Sequence, residues 1–303
     1  MKIVVTGGTG FVGRALLARL VSEHHEVVAL TRTPASQRAG LPERVTVAPW
    51  DGQTAGPWAA HVDGADAVIN LAGEPLDARR WTPAQKERII GSRVGAAGAL
   101  REAIERAAKK PAVVVSASGV DYYGPVESGE VREDAPPGEG FLAGTCVRWE
   151  HAALSIGSAG PRIVILRCGV VLGKGGGALR KLVLPFRLFV GGPLGSGRQW
   201  FPWIHRDDLV SIILFVIARK DARGPFNVVA PESVTMKTFC AVLGKVLHRP
   251  SWAPVPGPAL RVALGEMAGM VLTGRQAVPA KLQELGYTFR FPALVPALTD
   301  ILR

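Results

Sequence analysis

Four glycines, Gly7, Gly8, Gly10 and Gly13, stand directly between a β-branched run, Ile3 to Val5, and leucines at helical spacing, Leu16, Leu17 and Leu20. Glycine lets the chain turn sharply, brings backbone N–H groups up to a pyrophosphate with no Cβ in the way, and lets the following helix pack closely on the strand. The stretch Gly7, Thr9, Gly10, Phe11, Val12 and Gly13 is therefore the candidate phosphate-binding turn, with a helix N-terminus supplying partial positive charge. The chemistry served by such a turn is that of a dinucleotide cofactor, here hydride transfer from a nicotinamide.

Two further residues read the other end of that cofactor. NAD-selective folds place a carboxylate after the second strand for the ribose 2′-OH, whereas an arginine there suits the 2′-phosphate of NADP. The strand Glu26–Leu30 ends at Thr31-Arg32 with no acid, so Arg32 predicts NADP(H). Asp51, after the third strand, is placed to meet the adenine edge. Arg198 lies between glycines and aromatics in Gly195–Phe201, where a flexible backbone can bring a guanidinium bidentately against a carboxylate or phosphate. The expected partner is a small, anionic substrate. His205 stands beside Asp207 and Asp208 as a hydrogen-bonded scaffold at a helix start.

The elements that must position these residues follow from periodicity. Short apolar runs at Ile3–Val5, Glu26–Leu30, Arg44–Ala48, Asp66–Gly73, Ala112–Ser116 and Arg162–Arg167 alternate with helical patterns, which specifies a doubly wound, parallel α/β sheet, a Rossmann fold. The fourth run ends in small residues, as it must if its backbone is to pass a cofactor. Thr82-Pro83 caps a helix to about Lys109, Asp207 or Asp208 caps one through Ile217, and Thr235 caps another. Phe226–Val229 reads as a returning strand and Tyr287–Phe291 as an extended piece. The boundaries expected are a nucleotide-binding domain over 1–168 with parts of 204–230, and a substrate lobe over 169–303 that includes a helical segment at 250–298.

Composition narrows the classes. The chain has 303 residues, 48% of them hydrophobic, which allows a sizeable core. Its three cysteines, Cys146, Cys168 and Cys240, are odd in number and lack CxxC pairing, against a disulfide framework or a metal site. The longest apolar run, Leu209–Ala218, is half of what a bilayer span needs. The net charge of +11 suits nucleic acid, an acidic membrane or an anionic small molecule. Scattered basic residues, with no stripe interleaved with aromatics, exclude nucleic acid and membrane from the expectation and leave the phosphorylated cofactor and substrate. The expected setting is the cytoplasm, with oligomeric state open.

Thr6–Gly13, Asn70–Gly73, Ser116-Ala-Ser118 with Tyr123-Gly124, and Trp203–Asp208 together resemble the extended short-chain dehydrogenase/reductases over nearly the whole chain. Leu71–Glu74, Gly91–Arg93, Gly169–Gly173 and Gly192–Trp200 are similar to an atypical branch described as nucleoside-diphosphate-sugar epimerases, which carries a C-terminal domain of unknown function. The resemblance implies cofactor contacts from Leu71, Ala72, Gly73, Ser116, Cys168, Gly169 and Val170. It implies a hydroxyl at Ser118 that polarises the substrate, and substrate-lobe roles for Arg198 and His205.

The departures from that pattern decide more than the matches. The family's helix should carry Tyr-x-x-x-Lys, but aligning Glu150 puts Leu142 at the tyrosine and Cys146 at the lysine. Arg93 replaces an active-site asparagine. Tyr123 is then the candidate acid, needing a nearby cation such as Arg93 to lower its pKa from ~10. Two function classes remain: an NADP-dependent oxidoreductase or epimerase-like enzyme using Ser118, Tyr123 and Arg93, or a cofactor-binding regulatory or structural protein that lost catalysis.

Overall fold

The structure, a computed structural model, describes residues 1–33 and 40–303. In chain order it forms β1 (Lys2–Thr6), α1 (Phe11–Ser22), β2 (Glu26–Thr31), β3 (Val45–Pro49), β4 (Ala67–Asn70), α2 (Pro83–Arg106), β5 (Val113–Gly119), β6 (Glu130–Val131) and α3 (Phe141–Leu154). Then come β7 (Arg162–Cys168), β8 (Val170–Leu172), α4 (Gly177–Arg187), β9 (Trp203–His205), α5 (Arg206–Ala218), β10 (Gly224–Val228) and α6 (Met236–Leu247). The chain closes with α7 (Gly257–Leu264), α8 (Gly269–Leu272), β11 (Gln276–Ala277), α9 (Ala280–Glu284) and α10 (Leu294–Leu302).

Seven parallel strands build the central sheet in the order β10-β7-β5-β4-β1-β2-β3. The chain runs outward one way from β1 to β3, then crosses back to β4 and continues the other way. The crevice between β1 and β4 at their carboxyl ends is therefore the switch point where such folds bind ligands. Both faces are covered, which is why the strands are apolar almost throughout. Ile3 and Val5 of β1 pack with Leu16, Leu17 and Leu20 of α1 and with Ile212, Ile213 and Val216 of α5. Val4, on the opposite face, packs with Ala96, Leu100 and Ile104 of α2.

A second core, with Phe186, Phe201, Trp203, Phe239, Leu294 and Leu298, joins α4, α6 and α10 into a lobe against the strands' carboxyl ends. The helix cap expected at Asp207 or Asp208 is His205 instead: its Nδ1 accepts the backbone N–H of Asp207 at 3.1 Å. Both acids fall in the first turn of α5, where they complement its dipole. Asp208 is thereby free to accept the N–H groups of Arg290 and Phe291 at 2.8 and 2.9 Å. That anchoring holds the Tyr287–Phe291 piece in place although it joins no sheet.

Candidate active site

The glycine turn is built as tightly as its sequence demands. Gly7 has φ +66°, and a Cβ on it would lie 2.5 Å from the carbonyl oxygen of Leu71. A Cβ on Gly13 would lie 2.2 Å from the carbonyl oxygen of Gly7, so α1 can approach the turn only because both residues are bare. No side chain caps α1, whose first N–H groups stay available to an anion. Behind the turn runs a buried polar chain. Thr6 Oγ1 donates to Asn70 Oδ1 at 2.7 Å, and Asn70 Nδ2 reaches Ser116 Oγ at 3.5 Å. The Ala72 N–H points back at Thr6 Oγ1 at 3.2 Å, and β4 ends at Asn70, so Leu71, Ala72 and Gly73 lie just beyond the strand rather than at its end. Arg32 is exposed at the end of β2 with no acid beside it in sequence. Asp51 is exposed after β3. Its carboxylate accepts the N–H groups of Gln53 and Thr54 and the Thr54 hydroxyl, and these bonds, that hydroxyl's first, hold its pKa below the usual range.

From this turn a cleft of about 620 Å³ extends between the sheet and the second lobe. Phe11 and Val12 border one end, and Cys168, Gly169 and Val170 form one wall. Ser118 lines it and donates its proton to Glu150 Oε1 at 2.7 Å. Glu150 is gripped bidentately by Arg167, Nε to Oε1 at 2.9 Å and Nη2 to Oε2 at 2.8 Å. Burial lowers the Arg167 pKa, but the bonds to Glu150 outweigh this and raise it overall.

Tyr123 belongs to the same network and not to the cleft, which corrects the acid role expected of it. It is only 3% exposed, donates to Asn227 Oδ1 at 2.7 Å and accepts from Arg167 Nη1 at 2.8 Å. Burial pushes its pKa up to about 12 despite the arginine. The cation beside it is Arg167, not Arg93.

Arg93 enters the cleft from α2. Its Nη1 donates to the carbonyls of Glu74 and Ile89 at 3.1 and 2.9 Å, its guanidinium lies 4.8 Å from the Trp149 ring, and a Cβ on Gly73 would touch it. None of the ion pairs among the described residues includes it, and burial lowers its pKa. Leu142 and Cys146 face the same space. Burial, and then the charge of Asp121, push the Cys146 thiol up to about 12, which keeps it protonated near neutral pH.

Two substrate residues are placed differently from expectation. Arg198 is exposed in an adjoining hollow of about 450 Å³, which shares Gln199, Trp200, Thr273 and Gly274 with the cleft. His205 is 2% exposed, stacks on Phe291 at 3.9 Å and caps α5, outside the cleft. Asp121 and Arg275, unread in the sequence, do line the cleft, and they are paired at 2.6 Å. Their 154-residue separation leaves no local signal.

Residues 3–229 match the NAD dependent epimerase/dehydratase family, and residues 255–301 match a domain of unknown function, DUF1731. The chain belongs to the NAD dependent epimerase/dehydratase family. It is 40% identical to the Arabidopsis thaliana epimerase family protein SDR39U1 homolog, a chloroplastic protein, over all of this chain and 87% of that one. It is 39% identical to the human epimerase family protein SDR39U1 over 99% of both chains. The crystal structure of the human protein with NADPH superposes with a TM-score of 0.90 at 37% identity, covering 99% of each chain. A Bacillus cereus UDP-glucuronic acid 4-epimerase shares the fold, with a TM-score of 0.81 at 21% identity.

Proposed function

We propose that this chain binds NADP(H) and uses it to oxidise or reduce a small anionic hydroxyl or carbonyl compound, as an oxidoreductase or an epimerase-like enzyme. Arg93 carries the reading: a buried guanidinium facing the cleft, held by two backbone carbonyls and the Trp149 ring and in no ion pair among the described residues, is still short of an anion. Arg32, exposed after β2, supports the 2′-phosphate, as does the NADPH seen in the human relative.

The bare glycine turn and the α1 N-terminus would hold the pyrophosphate, and the Leu71–Gly73 and Cys168–Val170 segments would pass beside the nicotinamide half. The cofactor, when bound, supplies or accepts the hydride. The chain's own part is to orient the substrate and move its proton. Ser118 already donates to Glu150, so its lone pairs can accept a substrate hydroxyl. A proton reaching Ser118 Oγ can leave as the serine's own proton passes to Glu150 Oε1, while Arg167 keeps that carboxylate fixed. The second lobe covers the cleft and limits water. A second reading, a cofactor-binding protein without turnover, is favoured by one observation: apolar Leu142 and Cys146 face the cleft where the family's tyrosine and lysine would stand.

Titration calorimetry tests the cofactor. NADPH should bind at least tenfold more tightly than NADH, and Arg32→Ala should remove most of the difference, since a charge-assisted bond contributes about 1.5–3 kcal/mol. Equal affinities would defeat the NADP assignment. For the substrate, the NADPH complex is screened against α-keto acids, hydroxy acids and nucleotide sugars. Arg93→Ala should lose the bound compound while keeping NADPH, and unchanged binding would remove Arg93 from the site. NADPH binding with no oxidation of any bound compound would favour the second reading.

A further inference from the structure

The end of α4 carries an apolar surface that the cleft does not use. Leu184 is 58% exposed, Leu188 63%, Phe189 54%, Val190 51% and Trp252 67%. They are contiguous: the Trp252 indole N–H donates to the Phe189 carbonyl at 2.9 Å, and the Trp252 backbone N–H to that of Gly191 at 3.0 Å. We propose that this face docks the protein onto the surface of an anionic lipid bilayer.

Phe189 supplies the first argument. Val190 N–H bonds to the Pro185 carbonyl and Phe189 N–H to that of Phe186, which is the hydrogen-bond pair that closes a helix with a left-handed residue. Phe189 is that residue, with φ +63°. Glycine takes this position without cost, and a bulky aromatic there is strained. The chain thus holds a phenylalanine in an unfavourable backbone conformation and exposes its ring to water. The ring meets the Arg249 guanidinium at 4.5 Å but adds nothing to the buried core, so the strain points to a further use of the ring outside the fold.

Charge supplies the second. The sequence holds no Asp or Glu from His151 to Arg206, nor from Ser233 to Gly265. These two segments lie side by side at the patch and surround it with cations. Arg180 and Arg187 share the helix face of Leu184, and the Arg249 guanidinium lies 4.5 Å from the Phe189 ring. Lys181, next to them, is paired with Asp77. A hollow of about 370 Å³ beside the patch sets Lys174, Arg180 and Arg187 around Leu179 and Val183. Aliphatic and aromatic side chains ringed mainly by lysine and arginine, here with Asp77 paired to Lys181, are the make-up of surfaces that lie in a membrane interface and hold anionic headgroups. A second copy of this chain fits less well, because a two-fold contact would set these cations mostly against each other, Asp77 being already paired with Lys181. No helix among the described residues is long and apolar enough to cross a membrane. Peripheral docking needs none, and it revises the expectation, drawn from scattered charge, that no membrane is involved.

Flotation of the full chain with vesicles tests this. It should bind vesicles in which half of the phosphatidylcholine is replaced by phosphatidylglycerol, bind pure phosphatidylcholine weakly, and release as salt is raised. Phe189→Gly should leave the melting temperature equal or higher while lowering vesicle affinity about tenfold or more. Arg180→Glu with Arg187→Glu should remove the salt-sensitive part. No binding to the anionic vesicles at low salt, equal binding to both lipids, or unchanged binding by Phe189→Gly would each overturn the proposal. So would a dimer in analytical ultracentrifugation that Phe189→Gly dissolves, which would give the face to a second copy.

Discussion

The Tyr123 hydroxyl donates to Asn227 and accepts from Arg167 in a site 3% exposed, and its folded pKa stands at about 12 because of burial. In the unfolded chain it titrates near ~10. The stability tied to the neutral tyrosine is therefore complete below about pH 10 and is lost as pH rises toward 12. Two pKa units amount to roughly 2–3 kcal/mol. Tyr123→Phe, which cannot ionise, should be less stable than wild type near neutrality, since Asn227 and Arg167 lose a partner. Its deficit should shrink between about pH 10 and 12. Urea unfolding across that range measures the difference, and parallel curves would show that Tyr123 titrates normally. At pH 7 this side chain is a structural donor, which leaves Ser118 as the hydroxyl of the network that faces the cleft.

The turn from β1 into α1 makes an opposite demand on helix chemistry. Alanine in place of glycine inside a helix normally stabilises it by about 1 kcal/mol. At Gly13 the sign should reverse, because the new Cβ would lie 2.2 Å from the Gly7 carbonyl oxygen and 2.6 Å from the Gly8 Cα, and backbone cannot move aside as a side chain can. Gly13→Ala should lower stability by about 1–3 kcal/mol and weaken NADPH binding sharply. Thermal melts and calorimetry on the same sample check both. Higher stability with intact binding would mean that α1 does not press on the turn. The same logic of close approach governs Gly169, where a Cβ would meet the Pro202 carbonyl at 2.8 Å.

Across the whole molecule the C-terminal segment is a working part of the fold and of the cleft. Leu294, Ala297 and Leu298 of α10 are fully buried in the second core, and Leu282 of α9 lies in the first. Lys86 meets Glu266 at 2.5 Å, and Arg80 donates to the carbonyls of Val262 and Ala263, so the segment is also tied to the entrance of α2. Each buried leucine contributes roughly 1.5–3 kcal/mol. Deleting residues 255–303 removes an amount comparable to the whole stability of ~5–15 kcal/mol of a domain. The truncated chain should lack a cooperative thermal transition in circular dichroism, and a sharp melt close to that of wild type would show that the Rossmann sheet stands alone. Arg275, contributed to the cleft by this segment, would be lost with it.

What the sequence alone determined was local. The strand, glycine turn and helix at residues 2–22 follow from adjacent residues and a fixed spacing, as do the Thr82 and Thr235 caps and the apolar strands of a sheet covered on both faces. The lost tyrosine–lysine pair was also legible, because it concerns residues four apart. The pairs β6 with β11 and β8 with β9 were not, being two or three residues long and specified by what they pack against. Nor was the network that occupies the site. Ser118 meets Glu150 across 32 residues, Arg167 meets Tyr123 across 44, and Tyr123 meets Asn227 across 104. No periodicity spans such distances. Only the folded sheet, by laying β5, β7 and β10 side by side, decided that Tyr123 would turn into the interior, that Arg93 would face the cleft outside any ion pair among the described residues, and that Arg198 would stand outside it. Side-chain chemistry could be read one residue at a time, but burial and partnership, which set what that chemistry can do, are properties of the packed chain.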